Sequence, residues 1–475
     1  MPRAARPTVA RLLLGLALLA AGASEAQRTS RPAPAAPPEA AAPHPTSTRC
    51  LDESSVAEAG AAAAAEAEAP VVDPRATLQK LVREALARSN QIGAARLLAE
   101  AAQDDIEQAR AAAGLKASLD LGVGPGGRRD ELGTQYAEAE GRASISVSQL
   151  IWDGQRTERL TSWRERLAEA AEQGHLSARE QLALATVTLA LERSRYRQHV
   201  VVYGQYVRKM SCLVDALDAI TRADRGRASE LVQARKSLQQ AEIAQAQSQS
   251  QARQVEIRLR RLVGDGLPST QGLAGLLLSV GELNELVADV ERSADIAALT
   301  AQADAAARLA EATAAAGKPQ LSWNATSSAA GTSGGSIGST KQGTWSLGLT
   351  LNVPLWDRSI RPATDAARKR ARAAELQRAE LLEQRRFRVA EVHEQTLTSF
   401  DRARRVGAVL RDSEQLRNFT LQQWQQLGRR SLFDVIGAEA EHYNLRISYV
   451  NALTDGQQLN ASLLSLGRGV QQWLR

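Results

Sequence analysis

Much of the sequence is written twice. Residues 142–154 read Arg142-Ala-Ser-Ile-Ser-Val-Ser-Gln-Leu-Ile-Trp-Asp-Gly154, and residues 345–357 read Trp345-Ser-Leu-Gly-Leu-Thr-Leu-Asn-Val-Pro-Leu-Trp-Asp357. Each is an alternating segment that ends in aliphatic-Trp-Asp and runs into a long helical pattern. Ala-Ala-Ala-Gly at 111–114 recurs at 314–317 (317 − 114 = 203), Trp152 recurs as Trp356 (356 − 152 = 204), and Gly226-Arg-Ala-Ser229 answers Gly428-Arg-Arg-Ser431 (428 − 226 = 202). Near-equal offsets define an internal repeat of roughly 200 residues. Any fold must therefore place two similar units side by side.

The repeated segments have strand periodicity. Ile145 and Val147 share one face, with Ser144, Ser146 and Ser148 on the other. In the second copy Trp345, Leu347, Leu349, Leu351 and Val353 alternate with Ser346, Gly348, Thr350 and Asn352. One face is apolar and the other small and polar. That suits a sheet on a soluble core, or a barrel with lipid outside and water inside. Each copy has an upstream partner, Leu115–Val123 and Gln320–Ser327, across polar, Gly-containing stretches at Pro125–Gly141 and Ser328–Thr344. We read these as loops, which makes two β-hairpins, 115–151 and 320–355.

The rest of the chain is helical punctuation. Residues 1–23 have the form of a secretory signal, with Arg3, Arg6 and Arg11, an apolar run from Leu12 to Ala21, and Ala21-Gly-Ala23 as the cleavage site; Ala26 is an alternative. The apolar run is about half the ~20 residues of a spanning helix. No Cys follows it directly, so a lipoprotein anchor is not expected. Residues 24–75 are an Ala/Pro-rich lead-in with too few large apolar groups to offset ordering entropy, and are expected to be disordered. Repeat 1 (76–263) holds a helix from Thr77 to about Ala113, the hairpin, a helix from Gln155 to about Thr221, a turn at Asp224-Arg-Gly226, and a helix from Ser229 to about Val263. Residues 264–290, with Gly264, Gly266, Pro268, Gly272 and Gly275, form an inter-repeat linker. Repeat 2 (291–470) holds a helix from about Arg292 to Ala316, the second hairpin, a helix from about Pro362 to Leu427, a turn at Gly428, and a helix from Ser431 to about Gly467; 471–475 is a tail. The longest helices would measure on the order of 100 Å. The shorter ones, stacked end to end, would match them in length.

Composition narrows the function. Aromatic residues are 4% of 475, so layered helices are expected instead of a large globular core. The formal charge of +6 falls to 6 − 3 = +3 without Arg3, Arg6 and Arg11, and its cations are interspersed with anions, unlike a nucleic-acid surface. Cys50 and Cys212 can pair in an oxidising compartment, although Cys50 falls in the lead-in. The five histidines show no metal-ligand spacing. Gly122-Val-Gly-Pro-Gly-Gly127 enters a polar stretch instead of a helix and fails as a dinucleotide loop. There is no Gly-x-Ser-x-Gly. We therefore expect no catalytic centre, no cofactor and no metal.

Four strands cannot close a spanning barrel, which needs at least eight, and open sheet edges are not tolerated in lipid. Hairpins in a membrane must be pooled by several chains, eight strands from two or twelve from three. Trp152, Trp323, Trp345 and Trp356 lie at or near strand ends, where an aromatic girdle would sit; ordinary core packing is the alternative.

From about 77 to 470 the chain resembles the TolC-like outer-membrane factors. The resemblance rests on the tandem helix–hairpin–long helix–helix order, on Gln149-Leu-Ile-Trp-Asp-Gly154 and Val353-Pro-Leu-Trp-Asp357 at the strand-to-helix junctions, and on Gly428-Arg-Arg-Ser-Leu-Phe-Asp-Val435 in the last turn. It implies a mainly α homotrimer: a twelve-stranded β-barrel, four strands per chain, on a long periplasmic α-helical coiled-coil barrel. It also implies an outer-membrane exit duct that meets a periplasmic adaptor and an inner-membrane ABC or other pump. By resemblance, Asp434 falls at an acidic ring of the periplasmic gate, with Arg430 in the turn and Glu441 seven residues on. The family's second acidic position is Gly437 here, which puts a double ring in doubt, and a solvated charge near a helix start is the alternative for Asp434. Gly226, Arg227, Ala228, Ser229, Gly428, Arg429 and Ser431 would form the tips that adaptors touch. Because no lipoprotein anchor is expected, we anticipate type I secretion of a protein over drug efflux. A soluble periplasmic coiled-coil scaffold is the alternative from another class.

Overall fold

The computed structural model describes residues 73–129, 135–333, 340–427 and 430–475. The signal segment, nearly all of the lead-in, Cys50, Gly428 and Arg429 lie outside these residues. The chain divides into two units, Met1–Thr46 and Ser47–Arg475, and all the described residues belong to the second.

The elements in order are α1 (Pro74–Arg88), α2 (Asn90–Ala111), β1 (Leu115–Arg129), β2 (Gln135–Trp152), α3 (Arg156–Ala223), α4 (Ala228–Val263), α5 (Leu283–Asp289), α6 (Ala294–Ala315), β3 (Gln320–Ser333), β4 (Thr340–Asn352), α7 (Ile360–Leu427), α8 (Leu432–Leu466) and α9 (Val470–Leu474). Helices α3 and α7 have 68 residues each, about 100 Å at 1.5 Å per residue.

Local chemistry sets the boundaries. The stretch expected as one helix from Thr77 is two, because Ser89 takes an extended backbone and its hydroxyl caps the second by accepting from the Ile92 N–H at 3.3 Å. The Trp-Asp-Gly junction is a helix start. Asp153 accepts from the Arg156 N–H (3.0 Å), the Thr157 N–H (2.7 Å) and the Thr157 hydroxyl (2.6 Å). Gly154 reaches that geometry at φ +65 with Lys318 packed so closely that a Cβ would meet its Cδ at 2.5 Å. In the second copy Asp357 accepts from the Ser359 N–H at 2.7 Å. Helix α8 opens with a capping box: Asp434 accepts from the Ser431 N–H at 3.2 Å while Ser431 Oγ accepts from the Asp434 N–H at 3.4 Å.

The hairpins correct the expected loops. Pro125–Arg129, Gln135–Gly141, Ser328–Ser333 and Thr340–Thr344 are strand, so both hairpins are much taller than their alternating cores. The reason is tertiary. Glycine-rich strands with weak propensity are held by a continuous antiparallel ladder, such as Gly127↔Ala137 and Gly331↔Lys341. Pro125, paired with Ala139, is tolerated because β1 is an edge strand.

The sheet order is β1-β2-β3-β4. Beneath it, α3 packs against α2 and α6 and α6 against α7, so the row is α2-α3-α6-α7. Farther from the sheet, α4 replaces α2 and α8 replaces α6, giving α4-α3-α8-α7. The short helices thus stack end to end beside the long ones. Alanine makes the close approach possible: Ala298, Ala301, Ala303, Ala305, Ala310, Ala312 and Ala315 of α6 are buried. Between the two zones, Leu78, Leu81 and Val82 of α1 join Val187 and Leu191 of α3 and Leu259 of α4 in a core. Each such side chain contributes about 1.5–3 kcal/mol of burial. The linker is tied to this core by two amides. Gln457 Nε2 donates to the carbonyls of Leu273 (2.9 Å), Ala274 (3.1 Å) and Leu276 (2.7 Å), and Asn460 Nδ2 to those of Leu277 and Ser279 (both 2.8 Å). Carbonyls of the linker, most of them outside any helix or strand ladder, are thereby satisfied.

Candidate functional site

The sheet has two unlike faces. Register places Leu119 opposite Ile145, Ala325 opposite Leu347, and Trp323 opposite Leu349, all on one side. That side is apolar yet exposed: Leu121 is 73% exposed, Val123 90% and Trp345 83%. The other side carries Ser118–Ser146 (2.7 Å), Ser328–Thr344 (2.7 Å) and Thr350–Asn324 (3.2 Å) hydroxyl and amide contacts. The sheet thus alternates in the way of a strand set between an apolar and an aqueous medium. Strands β1 and β4 leave their outer edges unpaired within the chain.

Of the four tryptophans expected to form a girdle, Trp323 is half-buried and donates its indole N–H to Gln149 Oε1 at 3.2 Å. Trp345 is on the apolar face, Trp152 ends β2, and Trp356 stands exposed just past β4 with the Arg358 guanidinium 5.4 Å over its ring. Among the described residues, no helix is long and apolar enough to cross a membrane.

The helical part also has two free edges. In the rows above, α2 and α4 are outermost on one side and α7 on the other. Large exposed apolar side chains concentrate there: Leu97 and Leu98 on α2, Val232, Ile243 and Ile257 on α4, and Leu376, Phe387, Val409, Leu416 and Phe419 on α7. The heights match. Leu97 lies 111 − 97 = 14 residues below the sheet end of α2, and Leu376 lies 376 − 360 = 16 below that of α7, within about 3 Å of the same level. Because one edge differs from the other, a contact between unlike edges is head to tail, the kind that forms a ring where the rotation between copies closes.

At the end far from the sheet, Arg225–Arg227 form a single turn between α3 and α4. Gly226 donates its N–H to Asp224 Oδ1 at 2.9 Å, Arg227 sits 3.9 Å from Asp224, and Ala228 and Ser229 begin α4. In the second tip Arg430 donates to Gln423 Oε1 at 3.2 Å and lies 4.0 Å from Asp434. Asp434 and Glu441 are both exposed. Asp434 therefore has a capping role beside the gate reading.

Sequence reading missed a buried ionic cluster that lies above the tips. Glu439 of α8 is 1% exposed, with its oxygens 3.8 Å from Lys209 Nζ of α3 and 3.8 Å from Arg417 Nη1 of α7, and neither oxygen has a hydrogen-bond partner. Burial pushes its carboxyl above the ordinary range, against the pull of Lys209 and Arg417. Tyr206 and Tyr443 stack beside it at 4.8 Å. Position 439 shares the α8 face of Leu432, Val435, Ile436 and Tyr443, so its burial follows the helical period, but its partners do not, since only a third helix brings Lys209 to it.

Two buried histidines set an acid limit. Desolvation, then Arg195, lowers His199 to about 4, and desolvation, then Arg417 and Arg446, lowers His442 to about 4. An unfolded imidazole titrates near ~6.5. As pH falls from there toward about 4, the unfolded chain binds protons that the folded one refuses. Stability is therefore full above that window and lost on acidification, by roughly 1–3 kcal/mol per imidazole. Glu439 acts oppositely, because its raised carboxyl favours the fold at low pH. A His199→Asn/His442→Gln variant should show a smaller drop in melting temperature between pH 7 and 4.5 than the parent. Parallel profiles would clear the imidazoles of this role.

No protein-family model matches the sequence, and no curated protein does. Solved structures do. A membrane protein from Pseudomonas aeruginosa is 20% identical, with 84% of this chain and 92% of that one covered at a TM-score of 0.74. The outer-membrane protein VceC of Vibrio cholerae is 19% identical, covering 82% and 96% at 0.68. The open state of the MtrE outer-membrane channel of Neisseria gonorrhoeae is 16% identical, covering 82% and 88% at 0.66. With its paired helix-hairpin repeats, two-faced sheet and unlike edges, the chain has the fold of the TolC-like outer-membrane factors.

Proposed function

We propose that the chain is the outer-membrane exit duct of a tripartite export machine and works as a homotrimer. The observation that carries this reading is the agreement of the edges. Strand β1 lies on the same side as α2 and α4, and β4 on the same side as α7, so one head-to-tail contact joins both sheets and helices. Three copies give twelve strands, with the serine and threonine face toward water and the leucine face toward lipid. The duct performs no chemistry; it holds a water-filled path open through the membrane and a helical tube below it. Trp152, Trp323 and Trp356, at the helix end of the sheet, would sit where the barrel meets the headgroups, whereas Trp345 falls in the middle of the taller β4 and not at a strand end. The Arg225–Arg227 and Arg430–Ser431 tips meet a periplasmic adaptor that links the duct to an inner-membrane pump. For cargo we propose a protein passed by a type I machine.

Fractionation of native membranes, followed by the mass of the detergent-solubilised protein, tests the assembly. Outer-membrane recovery at three chain masses is expected, and a soluble monomer or dimer would sink the reading. Asp434, Arg430 and Glu441 are our candidates for the constriction, where threefold symmetry would make Asp434 a ring attractive to cations. Asp434→Asn keeps a side chain able to cap α8, whereas Asp434→Ala does not. Both variants should relieve block of single-channel current by divalent cations. If only the alanine variant changes the current, Asp434 acts through its cap and not through its charge.

A further inference from the structure

The two free edges carry opposite charge where they approach the sheet. Helix α2 has four acids against two arginines, whereas residues 360–376 of α7 have five cations against two acids. We propose, resting on the reading of the chain as a ring of copies, that these two stretches meet at each subunit junction. Asp104 of one copy then faces Lys369 of the next, and Glu100 faces Arg372. This acid–base register selects a contact between unlike edges and fixes its height.

Helical period turns these side chains away from their own bundle. On α2, Ile92, Ala99 and Ile106 are buried. Leu97 precedes Ala99 by two residues, and Asp104 precedes Ile106 by two, about 200° around the helix. Glu100 stands between them, three residues past Leu97 and four before Asp104. On α7, Thr364, Ala367 and Ala371 are buried. Lys369 lies two residues from each of these alanines, and Arg372 and Leu376 follow at spacings of three and four. Leu97, Glu100, Asp104, Lys369, Arg372 and Leu376 are all exposed. Each helix therefore offers one stripe of a leucine and two like charges.

The heights agree pair by pair. Asp104 lies 111 − 104 = 7 residues below the sheet end of α2, and Lys369 lies 369 − 360 = 9 below that of α7. Glu100 lies 111 − 100 = 11 below, and Arg372 lies 372 − 360 = 12 below. Both pairs are level within about 3 Å, the same small offset that brings Leu97 to Leu376.

The charges are also available. Among the described residues, Asp104 and Lys369 have no ion pair within the chain. Asp105 is instead spent on α3, 3.1 Å from Arg164. Glu100 and Arg372 have only exposed neighbours on their own helices, Arg96 at 3.3 Å and Glu375 at 2.6 Å, a kind of pair that contributes little. A junction of like edges would set acid against acid or cation against cation at these heights. Unlike edges pair them, and complementary charge of this sort acts chiefly on partner choice and register.

The test uses the full chain extracted from the outer membrane in detergent. A carbodiimide, which condenses a carboxylate with a lysine amine into an amide, should join Asp104 to Lys369. The linked peptide is expected in covalent dimers and trimers and not in the single-chain band. Glu100→Lys/Asp104→Lys and Lys369→Glu/Arg372→Glu should each shorten the half-life of the trimer, at a fixed dissociating temperature, by about tenfold or more. High salt should narrow that gap. The variant carrying all four substitutions should return to within about threefold of the parent, because the pairs are restored with their signs exchanged. These residues are exposed in the single chain, so helical circular dichroism should not change. The cross-link is made on the unaltered chain and reads the register whether or not a variant assembles. Trimers without that link, a link from Asp104 to a separate protein, half-lives indifferent to either reversal, or a four-substitution variant no better than the double variants would each overturn the register and leave the ring in place. A parent chain that is monomeric in detergent would end the ring reading and the register together.

Discussion

Aspartate at both Phe387 and Phe419 is expected to leave the chain monomeric in detergent and to abolish channel current. The two rings are 68% and 59% exposed on α7, the edge that faces a neighbour's α2 and α4 in the proposed ring. Burying a phenylalanine contributes about 1.5–3 kcal/mol, and a carboxylate trapped in its place costs several more. Together the pair removes roughly 5 kcal/mol or more from each subunit junction, a drop in association on the order of a thousandfold or greater. The monomer should keep its helical circular dichroism, because neither ring belongs to a core of the single chain. Mass photometry or native mass spectrometry gives the answer. Trimers that survive both substitutions would show that this edge is not the subunit junction.

Lysine at position 439 should have the second-largest effect. Glu439 sits on α8 between Lys209 on α3 and Arg417 on α7. Reversing its charge buries a cation beside two others, which costs several kcal/mol. We expect α8 to separate from α3 in the distal half of the bundle, seen as faster hydrogen exchange at Ile436–Tyr443 and as a duct with larger or longer openings. Glu439→Gln keeps the shape and removes only the charge. Lys209 and Arg417 are 27% and 22% exposed, so each can reach water, and we expect a loss of about 1–2 kcal/mol. Wild-type exchange and current in the lysine variant would mean that the cluster does not hold the seam.

The repeat, the alternating strands and the heptad-like apolar spacing were legible because they are local and periodic. The caps were not read, although they are short-range chemistry: Ser431 stood as a tip residue and Asp434 as a gate residue or a solvated charge, and their reciprocal hydrogen bonds emerge with the fold. The height of the hairpins was not legible. Gly126, Gly127, Gly331 and their neighbours have no strand propensity of their own and become strand only because a ladder already exists beside them. The break at Ser89 was hidden by an apolar pattern that continues across it.

The buried groups divide in the same way. Gln457 and Asn460 look like surface residues until a linker distant in sequence supplies five carbonyls. Glu439, His199 and His442 look like ordinary polar positions of amphipathic helices until three helices converge on them. The sequence by itself determined the two-unit plan, the two faces of the sheet and the lengths of the rods, because alternation and helical period are properties of a chain on its own. Only the tertiary structure decided which helices lie at the free edges and which charges are sealed inside, because these depend on contacts between residues far apart in the chain.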